Sequence, residues 1–535
     1  MTKHLLRNTA FAAIVAAMAT TALPFSADAR ELRWARIADA LTLDPHAQNE
    51  GPTHTLNHQL YEPLMIRLPD GKLEPTLALS WKVTSDPTVW EFKLRPNVKF
   101  HGGETFSADD VVFSIERALQ PTSDMKGVIS AIEKVTKVDD LTVHIKTKGP
   151  NPILPDTLTN TRMMSKSWSE KNNTVTVQDY KEKKDNFAVR NANGTGPYML
   201  VSREQDVKTV LKKFDGYWGK DIYPLGITDI TYLTIKSDAT RVAALLSGEV
   251  DFVQDTPVQD LARIEAASGM KIVTGPENRS IFFGMDVGSP ELKTSDVKGK
   301  NPFAEPKVRA AMSMAIDREA IKRAVMRGQS VPANMLAPPF VNGYDKTMDT
   351  APKVDIDQAK KLLAEAGYPN GFSVTLHCPN DRYINDEPIC QASVAMLAKI
   401  GVNAKLLAQP KGQHFNLIQK QPPETEFFML GWGVPTYDSH YIFSFLYQTR
   451  EGKNGTWNAT RYSNPALDAK INALTGETDL QKRNASIADI WKTIQADKIY
   501  IPIHHQTLAF AMKADLDIAT HPDNTVFLKL VGKKK

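Results

Sequence analysis

Residues 79–114 of the chain read LSWKVTSDPTVWEFKLRPNVKFHGGETFSADDVVFS. Residues 90–94 within this stretch alternate apolar and polar side chains, which is the period of a strand with one buried face. Ser107, with Asp110 three positions later, is typical of the capping box that opens a helix, and the apolar residues that follow lie on one helical stripe. A strand followed by a helix in this way favours an α/β fold.

The same alternation of strand-like and helix-like segments continues toward both ends of the chain. Gly367 and Pro369 mark the end of one helix, because both residues commonly terminate helices. The clearest further segments are a strand at 141–145, helices at 308–325, 357–366 and 480–497, and a strand at 499–503.

The composition is that of a soluble globular protein. The chain has 535 residues, of which 42% are hydrophobic and 24% are charged, and its net charge is +4. These values argue against disorder, collagen and coiled coil, and the length predicts two to four domains. So small a net charge does not indicate nucleic-acid binding, which needs a concentrated basic face.

The N-terminus resembles an export signal. Lys3 and Arg7 precede an apolar stretch at 9–22, and Ala27 and Ala29 form an A-x-A cleavage site. We therefore predict a cleavable signal peptide over residues 1–29 and a mature protein in the bacterial periplasm, with an uncleaved anchor as the alternative. Arg30 would begin the mature chain, so no cysteine stands where a lipid anchor needs one.

The only two cysteines are Cys378 and Cys390. An oxidising compartment favours a disulfide between them, and a loop this short would add about 2 to 3 kcal/mol of stability. Two buried free thiols are the alternative.

Motifs for catalysis and metal binding are weak. The chain has no G-x-S-x-G elbow, no P-loop and no H-E-x-x-H. His54 and His58 lie four residues apart, as zinc ligands on a helix do, but ordinary polar histidines are the preferred interpretation. We therefore expect no catalytic residues, no metal ion and no cofactor, and we favour a binding function over an enzymatic one.

The stretch 79–114 resembles the family 5 extracellular solute-binding proteins, the group that contains the periplasmic dipeptide- and oligopeptide-binding proteins of ABC importers. The resemblance extends over essentially the whole mature chain. It is carried further by GTGPY at 194–198, FDGYW at 214–218, AALLSGEVD at 243–251, VRAAMSMAIDR at 308–318, GW at 431–432 and YSNP at 462–465.

The resemblance implies the two-lobed fold of the periplasmic binding proteins, in its large form with an accessory subdomain. Two hinge strands would join the lobes, one near residues 277–286 and one near residues 498–504. The expected division assigns residues 30–277 to lobe I, with the accessory subdomain at about 60–195, residues 278–500 to lobe II, and residues 501–535 to the return into lobe I.

The resemblance also points to residues that would contact solute after Gly431 and Trp432. In peptide-binding relatives, an Asp three residues after the Trp pairs with the ammonium group of the peptide, but this chain has Pro435 there. Either Asp438 or another acid replaces it, or the solute has no free α-amino group at that place. Arg382 is a candidate for gripping a carboxylate with two hydrogen bonds, with a surface arginine as the alternative.

Other cleft candidates follow from the same motifs. Trp432 would form an aromatic wall or pack in the core, and the backbone groups of Gly433 and Val434 would pair with an extended ligand. Tyr61 matches the entry into the accessory subdomain, where it either packs or touches solute. Asn278 and Arg279 begin the expected hinge and would face the cleft.

The function that the resemblance implies is the capture of peptides or peptide-like solutes for an ABC importer. Its partners would be the solute and the permease subunits in the inner membrane, and we expect a monomer that does not bind nucleic acid. The alternatives are a binding protein for an opine, a sugar conjugate or a nickel chelate, and an exported hydrolase.

Overall fold

The computed structural model describes residues 30–180, 182–452 and 454–532. The predicted signal peptide, residues 1–29, lies outside the described residues. Within the described part of the chain, no helix is both long and apolar enough to span a bilayer.

The described strands and helices alternate along the chain. The strands are β1 (Glu31–Arg36), β2 (Met65–Arg67), β3 (Leu73–Pro75), β4 (Ala78–Val83), β5 (Val89–Leu94), β6 (Ile132–Asp139), β7 (Thr142–Thr147), β8 (Tyr198–Glu204), β9 (Lys208–Lys213), β10 (Asp229–Thr234), β11 (Phe252–Val253), β12 (Met270–Met285), β13 (Ser330–Pro332), β14 (Phe372–Pro379), β15 (Val402–Gln409), β16 (Phe427–Trp432) and β17 (Tyr500–Lys513).

The helices range from single turns to eighteen residues. They are α1 (Gly51–Leu60), α2 (Ala108–Ala118), α3 (Leu154–Leu158), α4 (Lys166–Lys171), α5 (Asp238–Leu246), α6 (Leu261–Glu265), α7 (Pro306–Ala315), α8 (Arg318–Ala320), α9 (Ile356–Glu365), α10 (Asp386–Ala398), α11 (Lys411–Gln419), α12 (Ser439–Ile442), α13 (Pro465–Thr475) and α14 (Leu480–Asp497).

Two long antiparallel strands, β12 and β17, connect the two lobes. The main sheet has the order β15-β14-β16-β12-β17-β11-β1-β10-β9-β8, and β13 pairs with β17. Strand β12 pairs with β17 in both of its halves; its second half also pairs with β16, and the far end of β17 pairs with β11. The chain therefore forms two α/β lobes that share this pair of strands.

Each lobe has a parallel sheet as its centre. In lobe I, β1 is parallel to both β10 and β11, and in lobe II, β14 is parallel to both β15 and β16. Parallel strands are buried on both faces, which explains why all six residues of β16 are buried. The last segment of the chain returns to lobe I, where Leu516, Ile518 and Val526 join the core.

The accessory subdomain is a four-stranded antiparallel sheet in the order β4-β5-β7-β6. Its inward side chains alternate with outward polar ones, as residues 90–94 predict, and they pack beneath α2. The capping box of α2 is present: the Asp110 carboxylate accepts the N–H of Ser107 at 2.9 Å. This local part of the sequence-based prediction is confirmed.

The continuous helix expected over 308–325 is wrong. Helix α7 ends at Ala315, and α8 begins only after an extended Ile316. Asp317 caps α8 by accepting the N–H of Ala320 at 2.8 Å, and a π-helical turn follows. The buried Arg318 guanidinium donates to the carbonyls of Ser313 in α7 and Pro502 in β17, contacts that the helical period does not reveal.

Candidate functional site

The two hinge strands separate locally between the lobes. Pro276 of β12 lies opposite Thr507 of β17, but Ser280 lies opposite His505, so three residues of β12 face Gln506 alone. Such a bulge bends a strand and redirects its side chains. Residues 277–279 are therefore presented at the point where the lobes meet.

The loops that follow the parallel strands meet at this bulge. In open α/β sheets, ligands bind outside the carboxyl ends of the parallel strands. In lobe II, β14 leads into residues 380–385 and β16 leads into residues 433–438. We name residues 380–385 the arginine loop and residues 433–438 the clamp loop. From lobe I, residues 521–524 reach the same place, because the Pro522 carbonyl accepts the N–H of Asn278 at 2.7 Å.

Tyr383 of the arginine loop lies directly on the end of β16. Its hydroxyl donates to the Gly431 carbonyl at 3.3 Å. A Cβ on Gly431 would lie only 2.6 Å from the Tyr383 ring, so the close approach requires glycine. The motif residue Gly431 thereby fixes the position of the aromatic ring.

Two guanidinium groups lie against this ring. Cζ of Arg382 is 5.1 Å from the ring centroid and Cζ of Arg279 is 5.9 Å from it, both within the range of cation–π attraction. Arg279 donates through Nε to Glu277 at 3.2 Å. The side chain of Arg382 is exposed and makes no hydrogen bond or ion pair with any described residue.

The two arginines influence each other's electrostatics. Desolvation, and then the charge of Arg279, lower the pKa of Arg382 below its ordinary value. Burial is the largest influence on Arg279 and opposes its charge, but Glu277 and Tyr383 together outweigh burial and the pKa of Arg279 is raised. The carboxylates of Glu277, Asp381 and Asp386 lie at the same place, so the charges of the two guanidinium groups are balanced locally. The Arg382 guanidinium nevertheless forms no ion pair with a described residue, so it can bind an anionic group.

Trp432 packs inside lobe II. Its side chain is 8% exposed and its ring lies 5.6–5.8 Å from those of Tyr441, Phe445 and Trp457. Because strand residues alternate between faces, Trp432 points to the face opposite Gly431 and the arginines. Trp432 therefore follows Gly431 in the sequence but lies on the side of the sheet that faces away from the arginine loop.

Asn278 holds the clamp loop by its backbone. Its side-chain oxygen accepts the N–H of Val434 at 3.1 Å, and its side-chain nitrogen donates to the Val434 carbonyl at 2.9 Å. Gly433 lies against the same residue, since a Cβ there would be 2.9 Å from the Asn278 carbonyl oxygen. We expected the backbone N–H and carbonyl of Val434 to pair with an extended ligand. In the structure both groups are hydrogen-bonded to the Asn278 side chain instead.

Asp438 is engaged inside lobe II. Its carboxylate accepts from Arg483 at both oxygens, at 2.7 and 3.1 Å, and also from the Asn342 amide at 3.0 Å. Asp438 and Arg483 are both buried. We therefore do not retain Asp438 as the acid that replaces the missing Asp at Pro435.

Tyr61 belongs to the core of lobe I. It is fully buried in the cluster that also contains Leu56 and Tyr198, and Gly194 lies over its ring. This arrangement corresponds to the packing alternative of the sequence analysis, and Tyr61 is not part of the cleft described above.

A disulfide joins Cys378, at the end of β14, to Cys390 in α10. The chain that it closes includes the whole arginine loop. Both cysteines are fully buried, so the covalent link anchors an exposed loop to the lobe II core.

A buried Ser–His–Asp arrangement lies at the hinge. Ser280 Oγ is 2.8 Å from Nδ1 of His505, and Nε2 of His505 is 3.0 Å from Asp349. The ring nitrogens have the reverse assignment from a hydrolase triad, where the serine bonds to Nε2. Ser280 is fully buried and also lies 2.9 Å from the Leu336 carbonyl. We assign this group a structural role that ties β12 to β17.

One acid of the cleft was missed by the sequence analysis. Asp523 of lobe I accepts a hydrogen bond from the Tyr437 hydroxyl at 2.8 Å and another from Asn278 at 3.1 Å. On the other side of the clamp loop, the Arg67 guanidinium stacks on the Tyr437 ring at 4.0 Å. The only local signal was an acid in the turn-forming run HPDN at 521–524.

Two α/β lobes joined by a pair of hinge strands, with charged side chains where the loops of both lobes meet, are typical of the class of bacterial solute-binding proteins. The chain matches the family model described as bacterial extracellular solute-binding proteins, family 5 Middle, over residues 72–454. This match covers more than half of the chain, and the protein therefore belongs to that family.

Individual proteins are similar to the chain over most of its length. The chain is 29% identical to the glutathione-binding protein GsiB of Pectobacterium atrosepticum, over 88% of this chain and 87% of that protein. Among solved structures, the ABC transporter substrate-binding protein CtaP of Listeria monocytogenes superposes with a TM-score of 0.82 at 23% identity, covering 95% of this chain and 100% of that one. The dipeptide-binding protein of Pseudoalteromonas sp. SM9913, in complex with Met-Leu, gives 0.74 at 24% identity, covering 94% and 100%.

Proposed function

We propose that this protein is the periplasmic binding subunit of an ABC importer and that it captures a peptide-like solute with a free carboxylate. The protein would bind the solute between its lobes and release it chemically unchanged to the permease. Cleavage of residues 1–29, the domain boundaries given above and a monomeric state belong to the same proposal.

The observation that carries the proposal is the pair of arginines at Tyr383. A carboxylate placed between Arg279 and Arg382 would receive charge-assisted hydrogen bonds, and Arg382 can donate two in parallel. Peptides have a carboxylate at one end, and glutathione has two. The relatives named for glutathione and for a dipeptide therefore bind solutes whose chemistry fits these arginines.

Capture requires no reaction, only a preference for one conformation. A solute that contacts both lobes binds the closed state better than the open state and shifts the population toward it. The arginine loop belongs to lobe II and Asp523 belongs to lobe I, so a solute that spans them would favour closure. The closed form would be the one that the permease recognises.

Two measurements on the full mature protein test this function. Mass spectrometry of the protein isolated from the periplasm should recover a peptide or glutathione. Isothermal titration should show binding of glutathione or Met-Leu, and saturation at about 100 times Kd should raise the unfolding free energy by roughly 2.7 kcal/mol.

The contrary results are equally specific. Recovery of only a nickel complex, an opine or a sugar conjugate would overturn the peptide assignment while leaving a binding protein. Cleavage of any peptide by the purified protein would overturn the binding function itself.

A further inference from the structure

The clamp loop cannot supply the acid that a solute ammonium group needs. Pro435 has neither a charge nor an N–H. Asp438, the single acid of this loop, is engaged in the buried pair with Arg483. If the solute has a free amino group, its partner must come from outside the clamp loop.

Asp523 is an acid that contacts the clamp loop from outside it. It lies in the segment that returns to lobe I, yet its Oδ1 atom accepts from Tyr437, two residues after Pro435. The same atom accepts from Asn278, which also binds Val434. Asp523 of lobe I therefore contacts the clamp loop of lobe II. It also contacts Asn278, the hinge residue directly before Arg279.

Asp523 also differs from the neighbouring acids in its charge balance. Glu277 has Arg279 as a partner and Asp255 has Arg36. Among the described residues, the basic group within 4 Å of Asp523 is the His521 ring, at 3.9 Å. Burial lowers the pKa of His521, so this ring is neutral at pH 7 and Asp523 has no charged ion-pair partner among the described residues.

The second oxygen of Asp523 is available for a ligand. The hydrogen bonds from Tyr437 and Asn278 both go to Oδ1. The side chain is 28% exposed, whereas the Asp438 side chain is 4% exposed and pairs through both oxygens. A carboxylate that is fixed at one oxygen and accessible at the other is well placed to accept from an incoming cation.

We propose that Asp523 receives the ammonium group of the solute, and that it thereby replaces from lobe I the acid that Pro435 removes from lobe II. This inference rests on the proposed function. Lobe II would then recognise the carboxylate through Arg279 and Arg382, and lobe I would recognise the ammonium group. Since the two poles lie on different lobes, only a solute with both charges gains its full affinity on closure.

The test compares Asp523→Asn with the wild type by isothermal titration. The probes are Met-Leu and glutathione, each with a free and with an acetylated amino group. The substituted amide would keep an oxygen acceptor for Tyr437 and Asn278, so the variant should fold with an unchanged melting temperature. Removing one partner of a desolvated charge pair costs several kcal/mol, so the free-amino probe that binds should lose at least about 30-fold in affinity.

The acetylated probes and a control variant make the result specific. The wild type should bind the acetylated form much more weakly than the free form, and D523N should bind both with similar weak affinity. Asp517→Asn, at a highly exposed acid of lobe I, should leave all affinities unchanged.

The failures are distinguishable. If the wild type binds none of the four probes, the proposed function fails and the role of Asp523 falls with it. If the wild type binds the acetylated and free forms equally, the role of Asp523 is overturned while the peptide-binding function stands. A D523N protein that keeps the wild-type preference for the free amino group would overturn it as well.

Discussion

The two loops at the carboxyl edge of the lobe II sheet differ in what their charged groups contact. The arginine loop presents Arg382, whose guanidinium forms no hydrogen bond or ion pair with a described residue. In the clamp loop, Asp438 pairs with Arg483, and Val434 and Tyr437 bind Asn278 and Asp523. One loop exposes charge toward the cleft, and the other uses its polar groups to hold the protein together.

This difference explains how one edge of a sheet can both bind solute and stabilise the fold. A buried charge needs a partner within the protein, because leaving it unpaired is costly. A charge at the cleft surface keeps part of its hydration and can exchange water for a ligand. Solute affinity should therefore depend on the arginine loop, and folding stability should depend on the clamp loop.

The largest expected effect is on stability, in the clamp loop. Replacing Asp438 with Asn leaves the buried Arg483 without a carboxylate and should lower the unfolding free energy by about 3–5 kcal/mol. Urea denaturation measures this change. The folded fraction of D438N should bind Met-Leu or glutathione within about threefold of wild type, a change that corresponds to less than 1 kcal/mol.

The exposed control for this substitution is Asp517→Asn, which should change stability by less than about 0.5 kcal/mol. If D438N were as stable as that control and lost its affinity for solute instead, Asp438 would be a ligand residue and the division between the loops would be wrong.

A smaller effect is expected from the disulfide that anchors the arginine loop. Replacing Cys378 and Cys390 together with Ala should cost about 3 kcal/mol, by the loop-closure argument. Hydrogen exchange should become faster in residues 380–385 but not in residues 433–438, because the clamp loop keeps its noncovalent contacts. Equal acceleration in both loops would show that the two loops are not independently held.

The smallest effect is on how the unfolding free energy depends on pH, and it comes from His504 in the hinge strand β17. Burial lowers the pKa of His504 to about 3, so the folded protein keeps this ring neutral while the unfolded chain protonates it below about pH 6.5. Stability from this group is therefore full at pH 7 and is lost progressively as the pH falls from about 6.5 toward 3.

Replacing His504 with Leu should remove this contribution. The loss of unfolding free energy between pH 7 and pH 5 should shrink by about 2 kcal/mol relative to wild type. Chemical denaturation at the two pH values measures the difference. Parallel pH dependence in the two proteins would mean that His504 is not a source of acid sensitivity.

Much of the fold could be predicted because its signals are local. The alternation at 90–94 and the capping box at Ser107 depend on side chains that lie close together in sequence. The division of helix 308–325 could not be predicted in the same way. It depends on Arg318 reaching the Pro502 carbonyl, far away along the chain.

The site was less predictable for the same reason. The family resemblance pointed to Gly431, Trp432 and Arg382 as residues of the site. Whether a polar group is free for solute depends on its long-range partner: Arg483 for Asp438, and Asn278 for Val434. Asp523 enters the cleft from the opposite lobe, and no pattern within residues 521–524 indicates that contact.

The most direct test of the account is a double-mutant cycle between Arg382 and the solute carboxylate. Wild type, Arg382→Ala and the surface control Arg263→Ala are each titrated with Met-Leu and with its C-terminal amide. Wild type and R263A should bind the free carboxylate at least about 10-fold more tightly than the amide, and R382A should lose most of this preference. An undiminished preference in R382A would contradict the account, because the carboxylate would then be held elsewhere.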